Sequence, residues 1–268
     1  MPHTPNQPRL HYDVYGASGP RVLLVMGLGM AGRVWEPQVQ SLREDHRVAT
    51  YDHRGVGGSD PAAWTASMST LADDAAHVLD ALGWESAHIV GLSLGGMIAQ
   101  EFALRHPERC ETLTLIATHS GGPLAGLKSP KALWAFARTQ TPWPSVRAAG
   151  LRDALYPKAW IEQSPPGLIV ERIQARTSFA MAKHALWGQI LAMYRHDTRA
   201  RCAQITTETL VIAPTEDLLI APRHCAALAE RIPEATLVVI EGAGHGVIFS
   251  HASNINALLR EHFAQEGV

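Results

Sequence analysis

The stretch His88–Glu108, "HIVGLSLGGMIAQEFALRHPE", decides the fold. An apolar run ends in Gly91-Leu92-Ser93-Leu94-Gly95, and the residues from Gly95 to His106 read as a helix stopped by Pro107. Serine has no propensity reason to stand at that junction. A sharp strand-to-helix turn supplies a steric one. It strains the central residue and pushes its side chain out at the carboxyl end of a sheet, and glycines two residues either side relieve the crowding. The helix that follows aims its N-terminal backbone N–H groups at the same place, where they stabilise a developing anion.

Outward from this turn, the runs "HRVATYD", "CETLTLIAT", "TETLVIAPT" and "ATLVVIEG" are continuously apolar, as strands covered on both faces must be. Helical segments alternate with them: "VWEPQVQSLRED", "STLADDAAHVLDALG" with Ser69 or Thr70 as N-cap, and "PRHCAALAERI" with Pro222 in its first turn. At the N-terminus "RLHYDVYG" alternates apolar and polar residues, and the turn "ASGP" leads into "RVLLVMG", which predicts a hairpin. The expected fold is α/β: a mostly parallel sheet with an antiparallel N-terminal hairpin and helices on both faces. Between about Ser120 and Ala200 the rhythm breaks into helical stretches without a strand, which divides the chain into a core of residues 1–119 and 201–268 and a helical insertion of residues 120–200. Trp134, Phe136, Trp143, Tyr156, Trp160, Phe179, Trp187 and Tyr194 concentrate there and are expected to form the insertion's own core.

Composition narrows the function. The chain has 268 residues, 46% of them hydrophobic, and a net charge of −2 with scattered basic residues, which gives no footing for nucleic acid. Cys110, Cys202 and Cys225 lack metal-binding or disulfide spacing, so no metal is expected and a reducing compartment is. The first residues carry no secretory pattern and no run is long enough for a bilayer, so a soluble cytoplasmic protein without a membrane partner is expected.

A serine hydroxyl needs a base, and the base an orienting acid. "LVIAPTEDLLIAP" ends a strand with Asp217 in the next loop, Glu216 being its neighbour and alternative; "VVIEGAGHGVIFSH" ends the last strand with His245 in a glycine-rich loop. His224, His251 and His262 fall instead in predicted helices. Serine, acid, histidine is the chain order expected when all three sit at the carboxyl edge of one parallel sheet.

With "VMGLG", "YDHRGVGGSD", "GLSLGGMIAQEFALRHPERCETLTLIAT", "LVIAPTED" and "GAGH" in these positions, the chain resembles the α/β-hydrolase superfamily from about Arg9 to Phe263, and within it the carboxylesterases, enol-lactonases and cofactor-free perhydrolases that carry a helical cap. The resemblance implies that Ser93 is the nucleophile, Asp217 the acid and His245 the base, with the backbone N–H groups of Leu28 and Leu94 as oxyanion hole. It implies no cofactor, a structural turn at Asp52, Arg54, Gly55 and Ser59, and the insertion as cap. It also argues against dehalogenases and epoxide hydrolases, which place an aspartate at the serine's position. Two departures stand out: Met26 where relatives often have histidine, and Pro214 where the acid loop usually has glycine. The expected substrate is a small to medium, largely apolar carboxylic ester or lactone, with His119 and Trp187 in the pocket. Carbon–carbon bond hydrolysis, perhydrolysis, acyl transfer to an alcohol, or a small-molecule receptor that kept the triad are the alternatives.

Overall fold

The computed structural model describes residues 2–5, 7–61, 67–122, 130–177, 179 and 181–264. Its centre is a seven-stranded sheet ordered β1-β3-β2-β4-β5-β6-β7. The strands are β1 Tyr12–Tyr15, β2 Arg21–Val25, β3 Arg47–Tyr51, β4 Ala87–Leu92, β5 Cys110–Ile116, β6 Thr209–Pro214 and β7 Ala235–Ile240. β1 is antiparallel to β3, and every other pairing is parallel.

The expected N-terminal hairpin is corrected in one respect: the antiparallel strand is present, but β1 pairs with β3 and not with β2. β2 is an apolar run and sits inside the sheet, hydrogen-bonded on one side to β3 and on the other to β4. The turn after β1 docks against the chain entering β3, where a Cβ on Gly16 would lie 2.0 Å from the His46 carbonyl oxygen. β1 is thereby delivered to the far side of β3, at an edge that its half-polar pattern tolerates. β7 also departs from expectation. It is the opposite edge, and Leu237 and Val239 are exposed although its sequence reads as fully covered.

Helices cover both faces with the period of two that strands dictate. Leu23 and Val25 of β2 face one layer, formed by α2 (Met68–Leu82), α3 (Leu94–Arg105) and α9 (Pro222–Ala229); Val22 and Leu24 face the other, formed by α1 (Glu36–Leu42), the short α10 (Val247–Ser250) and α11 (Ala252–Phe263). The N-cap of α2 is Ser67, whose Oγ accepts from Thr70 N at 3.1 Å, two residues before the first hydroxyl expected to cap it. The turn after β3 is tied down from several sides: Asp52 accepts from Gly32 N and Gly58 N at 2.8 and 2.9 Å, and Arg54 Nε donates to Asp74 of α2 at 2.6 Å.

Between β5 and β6 the chain forms α4 (Pro130–Thr139), α5 (Pro144–Leu155), α6 (Lys158–Gln163), α7 (Pro166–Thr177) and α8 (Lys183–Arg195). The aromatic residues of this segment divide. Tyr156 and Trp160 stack at 4.6 Å and join Leu155, Ile169 and Ile173 in a small core. Trp134, Trp143, Trp187 and Tyr194 are exposed, so the expected common aromatic core is not there. The side chain of Phe136 lies outside the described residues.

Candidate active site

Ser93 is the residue between β4 and α3, with φ 56° and ψ −117°. A conformation of this kind costs about 1–3 kcal/mol in a non-glycine residue and persists only where the surroundings hold it. They do: Ser93 N donates to the Ile116 carbonyl oxygen of β5 at 2.9 Å, and the Ser93 carbonyl oxygen accepts from Thr118 Oγ1 at 2.8 Å. The same carbonyl starts α3 by accepting from Gly96 N at 2.9 Å. The flanking glycines are a steric necessity. A Cβ on Gly95 would lie 2.0 Å from the Val25 carbonyl oxygen, and one on Gly91 would lie 2.3 Å from the Gly95 carbonyl oxygen.

The loops after β6 and β7 bring Asp217 and His245 together. His245 Nδ1 is 2.6 Å from Asp217 Oδ2, and the carboxylate is fully buried. Its other oxygen, Oδ1, accepts from the backbone N–H groups of Leu219 and Ile220 at 2.7 and 2.9 Å, so the carboxyl plane is fixed by the loop itself. The neighbouring Glu216 is exposed. Pro214 ends β6 opposite Ile240, beyond the last β5 pairing at Ile212, so its missing N–H interrupts nothing on the β5 side. After it, Thr215 N and Glu216 N donate to the carbonyl oxygens of Ile240 and Ala243, which locks the acid loop to the histidine loop.

Facing Ser93 from β2 is the loop Gly27–Met30. A Cβ on Gly27 would lie 3.5 Å from Ser93 Cβ, so the two turns are in close approach. The backbone N–H groups of Leu28 and Leu94 have no acceptor among the described residues. Two side chains not anticipated from the sequence pin this loop. Gln189 of α8 accepts from Gly29 N at 2.9 Å, and buried His53 donates through Nε2 to the Met26 carbonyl oxygen at 2.7 Å. Burial lowers the pKa of His53, against the opposing pull of this bond. A polar residue on the inner face of an otherwise apolar helix was the available signal for Gln189.

Ser93, His245, Leu28 and His119 line one cavity of about 1210 Å³, walled further by Leu151 and Leu155 of α5 and by Leu186, Ile190 and Met193 of α8. Trp187 is corrected. It is 57% exposed and does not line the cavity, because the inward stripe of α8 runs through Lys183, Leu186, Ile190 and Met193, and Trp187 stands about 100° around the helix from Leu186. His119 is where its position after β5 suggested. Its Nδ1 accepts from Gly121 N at 2.9 Å, which places the ring hydrogen on Nε2, and Nε2 has no partner among the described residues. Burial, then the rings of His196 and His224 at 6.3 Å, hold His119 down to about 3.

Burial likewise holds His196 and His88 down to about 4, and this has a consequence for stability. These histidines stay neutral in the folded chain while an unfolded histidine protonates near 6.5. Stability is therefore full above about pH 6.5 and is lost as pH falls from there toward about 4, on the order of 3 kcal/mol from one such group. Urea unfolding midpoints should drop markedly between about pH 7.5 and about pH 5. Equal midpoints at the two values would show that these rings are not buried as neutral groups.

Among the described residues, no cluster of His, Cys, Asp or Glu is placed to hold a metal ion, and no helix is long and apolar enough to cross a membrane.

A family model described as the alpha/beta hydrolase fold matches residues 20–252. A protein of Azorhizobium caulinodans named "Putative carbamate hydrolase RutD" is 33% identical over 236 residues, covering 88% of each chain. Among solved structures, a hydrolase from Pseudomonas aeruginosa PA01 is 31% identical with a TM-score of 0.83, covering 97% of each chain. The enol-lactonase from Burkholderia xenovorans LB400 is 25% identical with a TM-score of 0.85, over 98% of this chain and all of that one. On the family-model match over residues 20–252, most of its length, the chain belongs to the alpha/beta hydrolase family.

Proposed function

We propose that this hydrolase cleaves a small to medium carboxylic ester or lactone through an acyl-enzyme on Ser93. The observation that carries the reading is the buried His245–Asp217 pair at 2.6 Å, opening onto the same cavity as a serine in a strained turn. His245 Nε2 takes the proton of Ser93 Oγ as the oxygen attacks the carbonyl carbon; Asp217 keeps Nδ1 protonated and stabilises the imidazolium. The negative charge that develops on the carbonyl oxygen falls to the N–H groups of Leu28 and Leu94, which have no acceptor of their own among the described residues. His245 then returns the proton to the leaving alkoxide, and water attacks the acyl-enzyme by the same route in reverse order. Neither a metal nor an organic cofactor is called for by these steps.

His119 belongs to the binding side of this scheme. A neutral ring with its hydrogen fixed on Nε2 is a donor whose charge does not change near neutral pH, and it suits a second oxygen of the substrate. α4–α8 act as a cap over the catalytic edge, and Leu151, Leu155, Leu186, Ile190 and Met193 in their lining favour an acyl or alcohol group with an apolar stretch. A carbamate is a second reading, favoured by the names of relatives about 30% identical, since the same attack serves its carbonyl carbon.

A panel of 4-nitrophenyl acyl esters, simple lactones and N-alkyl carbamates separates the readings. The expected result is many turnovers per chain on esters or lactones. Preferential turnover of carbamates would move the assignment to the second reading, and tight binding without flux would make the chain a receptor.

A further inference from the structure

The apolar cavity carries an excess of positive charge that the proposed ester chemistry does not use. Arg147, Lys183 and Arg195 all line it, and none has an ion pair or side-chain hydrogen bond among the described residues. Asp197 is the one carboxylate among the described residues of the lining, and Arg199 neutralises it through bonds of 2.9 and 2.7 Å. Elsewhere on the molecule Arg54, Arg105, Arg138, Arg201 and Arg260 each hold a carboxylate. Arg147 differs in its place: it is half-buried on the wall of the cavity with no carboxylate opposite it among the described residues, whereas Arg21 and Arg47, also half-buried and without a carboxylate partner, do not line the cavity.

Arg147 is the most informative of the three. It lies on the stripe Arg147, Leu151, Ala154, Leu155 along the inner face of α5, so the cation terminates a row of apolar side chains. The other end of that row touches the catalytic edge: the Leu155 carbonyl oxygen accepts from Gly246 N, next to His245, at 2.8 Å. Arg147 and Leu155 are about 12 Å apart along the helix axis at the usual rise per residue. A ligand that followed this wall from Ser93 outward would meet an apolar length first and a guanidinium last. Lys183 and Arg195, at the two ends of α8 and exposed, add a field of the same sign at the rim, which steers anions inward.

We infer that the preferred acyl group carries its own carboxylate, separated from the scissile carbonyl by several methylene groups and bound by Arg147. The substrate class is thus the half-ester of a dicarboxylic acid. This deepens the ester reading above and rests on it. A guanidinium suits the role because it grips a carboxylate with two parallel N–H donors and stays charged at any working pH.

The test compares mono-4-nitrophenyl adipate, suberate and sebacate with the methyl 4-nitrophenyl diesters of the same acids, in the wild type, Arg147→Gln and Arg147→Lys. The readout is the ratio of kcat/KM for half-ester to diester. A wild-type ratio above one at its best chain length, falling about tenfold in Arg147→Gln (about 1.4 kcal/mol), mainly through KM, with part of it restored in Arg147→Lys, is the expected result. The wild-type preference should also weaken with added salt. Labelling of Ser93 by a neutral fluorophosphonate in each variant reports that the catalytic edge is assembled. If the diesters are turned over as well as the half-esters at every length, or the ratio is the same in Arg147→Gln, the carboxylate site is wrong and the ester reading stands. If neither ester is turned over and Ser93 does not label, the ester reading fails and takes this inference with it.

Discussion

Replacing Ser93 by alanine is expected to lower ester turnover by about 10⁴- to 10⁶-fold and leave the thermal unfolding of the chain nearly unchanged. The two halves of that expectation have separate causes. In the proposed mechanism the hydroxyl is the group that attacks, and among the described non-glycine residues that line the cavity Ser93 alone has a positive φ. The backbone, by contrast, is held by partners that the substitution does not touch: the Ile116 carbonyl, Thr118 Oγ1 and the first turn of α3. Alanine inherits the φ of 56°, and so inherits the strain. Ser93→Gly is the informative companion, because glycine adopts that φ freely. It should be as inactive as the alanine variant but more stable, by about 1 kcal/mol, when urea midpoints are compared. A variant at this position that keeps most of its turnover would remove Ser93 from the chemistry.

Asp217→Asn carries the second large effect, about 10⁴-fold in kcat, and here the geometry dictates the reason. Oδ1 of Asp217 accepts two backbone N–H bonds, from Leu219 and Ile220. In asparagine that position must stay an oxygen, because an amide nitrogen there would face two donors. The NH₂ group is thereby forced toward His245 Nδ1, which must then accept. The ring hydrogen moves to Nε2, the atom that has to receive the serine proton, and the base is blocked in the wrong tautomer. Steady-state kinetics should show a fall in kcat with KM little changed, and labelling by a fluorophosphonate should slow without ceasing. Unimpaired turnover would point to another acid, with the neighbouring Glu216 the first to examine, although it is exposed.

Much of this arrangement is legible in the sequence. The spacing of Gly91, Ser93 and Gly95 reads as a sharp turn because a Cβ at either glycine collides with backbone, and that is a local fact of the chain. The strands were legible for a related reason: β4 is buried at every position and has to be apolar throughout. What escaped the sequence depends on long-range order. β1 gives no local sign that β3 will come between it and β2. Ser67, Ser69 and Thr70 are equally good hydroxyl caps on paper, and only the extended backbone at Ser67 selects among them. Trp187 and Leu186 are adjacent in sequence, and their fates differ by one step around α8, a step that composition does not register. Arg147 is one arginine among many until α5 is seen to turn it onto the cavity wall. Pro214 departs from the glycine usual in the acid loop; at the end of β6, past its pairing with β5, it costs nothing on that side.

In the proposed mechanism Ser93 is a nucleophile activated by His245 and Asp217. This is tested most directly by incubating the protein with a fluorophosphonate, digesting it and locating the adduct by mass spectrometry, with Ser93→Ala, His245→Ala and Asp217→Asn alongside. Stoichiometric label on Ser93, absent in the first two variants and slow in the third, is the expected result. A folded protein that takes no label, under conditions where a known serine esterase is labelled completely, would contradict it.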